Sequence, residues 1–256
     1  MQSHRFPPAM HWPLSANERE AVRLTLLVGR QVLSGCTRAV GRDHTGERAV
    51  GLVFTLRCAR LLGAVGVACR AGYGHEALCM ARALLEDAVS LAYIADSPGG
   101  RSLQWVEYEE SRKKYLLEDA ISIGVLDREL TVDPPDWFAK ASAATDHWWS
   151  GKPPTKMAGA LAHERQGIKR DFEVMYKPLC DAAHGSPSNA FAYVTGSSST
   201  GVTWIGDSSS QSVMDACRDS VLFACRIVQL AEELGVFEGV SARVNRTFER
   251  FAGLIV

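Results

Sequence analysis

The chain has 256 residues and a mass of 27.9 kDa, enough for one large core or at most two small domains. With 28 Lys and Arg against 29 Asp and Glu, the formal net charge is -1. That excludes a protein that coats nucleic acid by bulk charge, though not a local basic patch, and 46% apolar residues exclude a disordered chain.

Residues 1–14 hold Pro7, Pro8 and Pro13 and read as an irregular arm, with no continuous apolar run of the signal-peptide kind. Residues 15–256 read as one helical domain. Ser15 and Glu18 have capping-box spacing and open a helix that reaches about Val40, ending in the Gly41–Gly46 region. A second helical run, Arg48 to about Arg70, carries Gly51, Gly63 and Gly66. Each glycine costs about 1 kcal/mol against alanine, so close helix–helix contact is expected there.

The segment AGYGHEALCMARALLEDAVSLAYIAD has the cleanest helical period. Ala81, Leu84, Leu85, Ala88 and Ala92 share one face, and Arg82, Glu86 and Tyr93 fall together beside it. On this reading Asp87 and Ser90 point away from the core, and Ser97–Gly100 stops the helix. A charged helix is expected from about Ser102 to Leu126, its charges a solvated face with pairs such as Glu109–Lys113 and Glu110–Lys114.

Proline restarts the chain at Asp133–Trp137, and an aromatic stretch follows with Trp137, Phe138, Trp148 and Trp149. Without interleaved Lys or Arg this stretch reads as a hydrophobic wall or subunit contact rather than a base-stacking platform. Helices are predicted at Thr155–His163 and Lys169–His184. From Gly185 to Ser210 the chain has one charged residue, Asp207, and no helical period; strand is expected at most in Ala190–Ile205. Helices from Ser212 to Leu234 and Phe237 to Phe251 close the chain. The prediction is an all-α, single-domain antiparallel bundle with a long Gly/Ser-rich loop before its C-terminal helices.

Seven cysteines, an odd count without a CxxC pair, read as buried free thiols in a reducing, cytoplasmic setting; Cys58, Cys69, Cys79, Cys217 and Cys225 lie in apolar helical patterns. Arg57, Arg60, Arg70, Glu86 and Asp87 interrupt the longest apolar runs, so no membrane span is expected. The HExxH, P-loop, GxSxG, GxGxxG and EF-hand signatures are absent. Nothing in the spacing brings His147, His163 and His184 together as zinc ligands, and no metal or cofactor is expected.

The segments ARALLEDAVSLAYIAD and DHWWSGKPPTKMAGALAHERQGIKRDFEVMYKPLCDAAHGSPS resemble a family of uncharacterised all-helical bacterial proteins. That family has an Arg-x-x-x-Glu signature, then a Trp-Gly stretch, then a Tyr-x-x-Leu-Ser-x-x-x-His-Gly-like segment. Arg82 and Glu86 match the first, Trp149 and Gly151 the second, and Tyr176, Leu179, His184 and Gly185 the third; Cys180 stands in place of the serine. The resemblance spans roughly residues 75–190 and implies residues rather than a reaction. Arg82 and Glu86 can pair along one helix face, with His184 or Tyr176 reaching Glu86 across the bundle. Such a cluster either fixes helix register in a non-enzymatic interaction or regulatory protein, or lets Glu86 orient His184 for proton transfer.

A second, looser resemblance is to helical nucleases of the HEPN class, in which a cation lies four to six residues before a histidine near a helix end. Lys177 and His184 match it, with lysine for arginine and Pro178 between them. The resemblance implies metal-independent RNA cleavage at a homodimer interface, with His184 acting on the 2′-hydroxyl and Lys177 on the phosphate. Arg70–His75, Arg38–His44 and Arg5–His11 fit the same spacing, so the His-Gly segment is what singles out Lys177 and His184. Cys180, four residues before His184, gives a further nucleophile arrangement on an intact helix. The partners implied are RNA and a second copy, with no membrane.

Overall fold

The computed structural model describes residues 14–40, 46–108, 152–183, 194–198, 201–204 and 210–254. Helix α1 spans Ala16–Ala39. Its capping box forms as the sequence predicts: Glu18 N–H donates to Ser15 Oγ at 3.3 Å, and Ser15 N–H donates to the Glu18 carboxylate at 2.5 Å. Helix α2, Glu47–Arg70, runs antiparallel to α1. Two of its glycines explain themselves. A Cβ at Gly66 would come within 2.5 Å of Leu26 Cδ2, and one at Gly51 within 2.8 Å of Val236 Cγ2. Gly63 corrects the expectation: among the described residues a Cβ there would meet nothing within 4 Å.

Helix α3, Gly74–Ala95, lies at the centre, packed against α2 and three helices further along the chain. Ala81, Leu84, Leu85, Ala88 and Ala92 are fully buried, as the periodicity predicts. Asp87 and Ser90, expected to point away, are buried too, at 6% and 9% exposure. With four helices packed around it, α3 keeps only a narrow solvated margin, so most of its polar residues must find partners inside.

Residues 98–108 form helix α4, which starts on Pro98. The Ser97–Gly100 segment is therefore a turn plus the first turn of a new helix, because proline has no N–H to lose at that position. Trp105 of α4 packs on Phe54 with ring centroids 5.4 Å apart. The pairs Glu109–Lys113 and Glu110–Lys114, the aromatic stretch of Trp137, Phe138, Trp148 and Trp149, and the arm up to Pro13 lie outside the described residues.

A short helix α5, Pro154–Gly159, and a 3-10 turn, His163–Arg165, lead into α6, Gln166–Ala183. Pro178 sits inside α6 without ending it. The carbonyl it cannot bond belongs to Val174, which is 67% exposed, and water can satisfy that group. Strands β1, Val194–Ser198, and β2, Gly201–Trp204, pair antiparallel within the stretch where strand was admitted. Helices α7, Ser210–Glu233, and α8, Val240–Ala252, complete the chain.

The result is an all-α helical bundle carrying one small hairpin. Helices α1, α2, α3 and α7 enclose a contiguous core, α8 packs across α1 and α7, and α6 lies along α3. Cys36, Cys58, Cys69, Cys217 and Cys225 are buried free thiols, Cys180 is half-buried, and Cys79, expected inside, is exposed. Among the described residues, α2 alone is long and apolar enough to cross a membrane, with mean hydropathy 1.7 over its best stretch; here it packs on α1, α3 and α7.

Candidate functional site

Helices α3 and α6 run antiparallel, fastened near both ends. At one end the Cys79 thiol lies 3.8 Å from the Ala182 carbonyl. At the other, Asp96 accepts from the Ala162 N–H at 2.9 Å and from Arg165 Nε at 3.2 Å. Cys79, Arg82, Glu86, Ser90 and Tyr93 follow one another at steps of four and three along α3, so they form a stripe on one side of that helix. The periodicity marks Arg82, Glu86 and Tyr93 of this stripe but not Cys79 and Ser90, which it placed elsewhere; the Asp96–Arg165 clasp escapes sequence reading because its halves are far apart in the chain.

Within the stripe, Arg82 Nε and Nη2 both lie 3.0 Å from Glu86 Oε1. The Arg82 guanidinium stands 5.6 Å from the centroid of the Tyr176 ring, and Phe172 stacks on that ring at 4.3 Å. Arg82 and Glu86 side chains are 19% and 27% exposed, so the cluster borders solvent. Burial, then a hydrogen bond with Cys180, then the Glu86 carboxylate push the Tyr176 hydroxyl up to about 12. It therefore stays protonated at neutral pH and serves as a hydrogen-bonding group, not a base.

The expected Glu86–Arg82 bond is present. Tyr176 joins the cluster through the Arg82 guanidinium and Cys180. His184, the other expected partner of Glu86, follows the last residue of α6 and lies outside the described residues, as do Trp149, Gly151 and Gly185. Tyr93 sits about two turns along the stripe from Glu86 and has its own surroundings. Lys152 Nζ donates to its hydroxyl at 3.3 Å, and the Arg101 guanidinium lies 3.6 Å from its ring centroid. One residue past Glu86, burial drives the Asp87 carboxyl up to about 7 against the opposing pull of Arg57. Arg57 Nε lies 2.9 Å from Asp87 Oδ2, yet that oxygen accepts no well-aligned hydrogen bond.

Lys177 is exposed on α6 and lines a cleft of about 310 Å³ with Thr155, Gly159, Phe172, Glu173 and Tyr176. Since α6 is unbroken through Pro178 to Ala183, the segment from Lys177 toward His184 keeps its helical register up to the residue before the histidine. Among the described residues no three His, Cys, Asp or Glu side chains gather closely enough to hold a metal ion.

The model of a family of unknown function, DUF5677, matches residues 48–201. The chain belongs to this family. Comparisons with curated proteins and with solved structures gave no match. The region shared with DUF5677 takes in α2, from its second residue, through α6 and strand β1, hence the whole α3 stripe and the cleft beside Lys177.

Proposed function

We propose that this DUF5677 chain cleaves single-stranded RNA without a metal ion, as the likeness to HEPN nucleases implies, with His184 as base and Lys177 as phosphate clamp. The observation that carries the reading is Lys177 exposed at a cleft on a helix that Pro178 does not interrupt. In the reaction the imidazole takes the proton of the 2′-hydroxyl, and the 2′-oxygen attacks the adjacent phosphorus. The bond to the 5′-oxygen breaks and that oxygen is protonated, giving a 2′,3′-cyclic phosphate and a 5′-hydroxyl. The Lys177 ammonium offsets charge on the phosphorane, though without the two-pronged geometry of arginine. A second copy of the chain would supply the opposing half of the groove.

In this reading Arg82, Glu86 and Tyr176 are positioning residues. Arg82 engages the Glu86 carboxylate and stands over Tyr176, and Tyr176 is protonated. The cluster thus ties α6 to α3 and fixes the helix that carries Lys177. Cys180 supports the same helix through Tyr176 and has no nucleophilic part.

The test is incubation of purified protein with RNA and with DNA of the same sequence in excess EDTA. RNA should be cut and DNA spared. His184→Ala should abolish cleavage with the melting temperature held, and Lys177→Arg should preserve or raise it. Cleavage that needs a divalent ion overturns the mechanism. If no cleavage is seen and His184→Ala lowers stability instead, the chain is a helical interaction protein whose polar cluster is structural.

A further inference from the structure

The outer surface of α1 and α2 combines features that a solvated helix pair does not need. On α2, Val53, Arg57, Arg60, Ala64 and Val67 lie within about a quarter turn of one another and are all exposed. Val53 is 47% exposed and Val67 65%, and Leu33 on the adjoining α1 is 48% exposed. The two helices meet where a Cβ at Gly29 would lie 3.3 Å from Leu62 Cβ, which sets Arg30 and Leu33 on the α1 side of the same surface.

Gly63 opens toward this surface. It stands mid-helix where, among the described residues, nothing occupies the space a Cβ would enter, unlike Gly51 and Gly66, so close packing among those residues does not account for it. A notch is thus left over Gly63, one helical turn from Arg60 and Val67 on α2 and next to Gly29 of α1. Arg30 and Arg60 rim it, and neither has a carboxylate within salt-bridge distance among the described residues.

We infer that this notch seats an acidic amphipathic helix of a partner protein, its apolar residues over Gly63 and its carboxylates on Arg30 and Arg60. Three observations select this occupant. The apolar side chains are short and stand among longer arginines, so they form a recess for a partner's knobs and not a wedge for lipid tails. A second copy of this face would set Arg60 against like charge. Single-stranded RNA would use the arginines but gain nothing from exposed Val53, Val67 and Leu33, which offer no aromatic face for stacking.

The experiment titrates the full chain with labelled helical peptides of about 18 residues. One carries leucines at i, i+3/i+4 and i+7 flanked by glutamates; its twin has lysines in place of the glutamates. Vesicles of phosphatidylcholine with phosphatidylglycerol, and a single-stranded RNA, are the other arms. The acidic peptide should bind and the basic one should not. Arg60→Glu should weaken binding about tenfold or more. Gly63→Leu should abolish it while leaving the melting temperature level or higher, since the added side chain enters open space. Failure of the acidic peptide to bind, binding indifferent to both substitutions, or vesicles or RNA engaging Arg60 while the peptide does not would each overturn the assignment.

Discussion

Asp87→Asn should make the protein more stable at alkaline pH and leave it unchanged in acid. Asp87 is 6% exposed, and its carboxyl is pushed up to about 7 from an ordinary 3.8 because burial penalises the charged form more than Arg57 compensates, and the Glu86 carboxylate adds to the rise. The folded chain therefore holds this proton more tightly than the unfolded chain. The group is neutral and harmless in both states below pH 4; its penalty accrues as pH rises from about 4 to about 7, where only the unfolded chain gives up the proton, and is constant above that. A gap of about three pH units corresponds to a ceiling of about 4 kcal/mol lost by pH 8.5. Asparagine keeps the shape without the charge, and Arg57, 59% exposed, stays solvated without its partner. For a chain of this size each kcal/mol moves the melting temperature by about 2–4 °C. Melts of both proteins from pH 4 to 8.5 should therefore coincide in acid and separate by several degrees in base, with the variant higher. Asp219, raised to about 6 by burial against the pull of Arg218, tilts both curves the same way and cancels in the difference. A variant that melts below wild type at pH 8 would refute the reasoning, because the Arg57 pairing would then outweigh the cost of burial.

Glu86→Ala should lower stability by about 1 kcal/mol, at the weak end for a charged hydrogen bond because the pair borders solvent; a thermal melt unchanged by the substitution contradicts its role in tying α6 to α3. Two glycine substitutions on α2 should have opposite signs in urea unfolding. Gly66→Ala should destabilise by about 1–2 kcal/mol, since Leu26 must move, whereas Gly63→Ala should stabilise by about 1 kcal/mol through helix propensity. Equal shifts at the two positions would contradict the packing between α1 and α2.

Much of this was legible in the chain. The Ser15–Glu18 box and the grouping of Arg82, Glu86 and Tyr93 on α3 depend on helical spacing alone, and such local geometry survives in any fold. The Arg82–Glu86 bond was legible for the same reason. What the pattern missed depends on neighbours remote in sequence. Asp87 looked solvent-facing because periodicity describes one helix and not what covers it, and α2 brings Arg57 to that side. Cys79 looked like a core thiol from its apolar surroundings, yet it sits at the margin where the end of α6 only partly covers α3. The Ser97–Gly100 segment does end α3, at Ala95, but Pro98 also opens α4, because proline suits a first turn as well as it punctuates a last one. Tyr176 could be assigned to the cluster by resemblance, but the upward shift of its hydroxyl follows from burial and Cys180, which no spacing reveals.

The central claim is that His184 and Lys177 direct a 2′-hydroxyl to attack its own phosphodiester. The most direct measurement is the chemistry of the product ends from one labelled RNA, beside the same RNA carrying a single 2′-deoxy nucleotide at the cleaved position, in excess EDTA. The account predicts a 2′,3′-cyclic phosphate on the upstream product, no cleavage at the deoxy position, and loss of both products with His184→Ala. A 3′-hydroxyl product, cleavage at the deoxy position, or activity that persists in His184→Ala would contradict it.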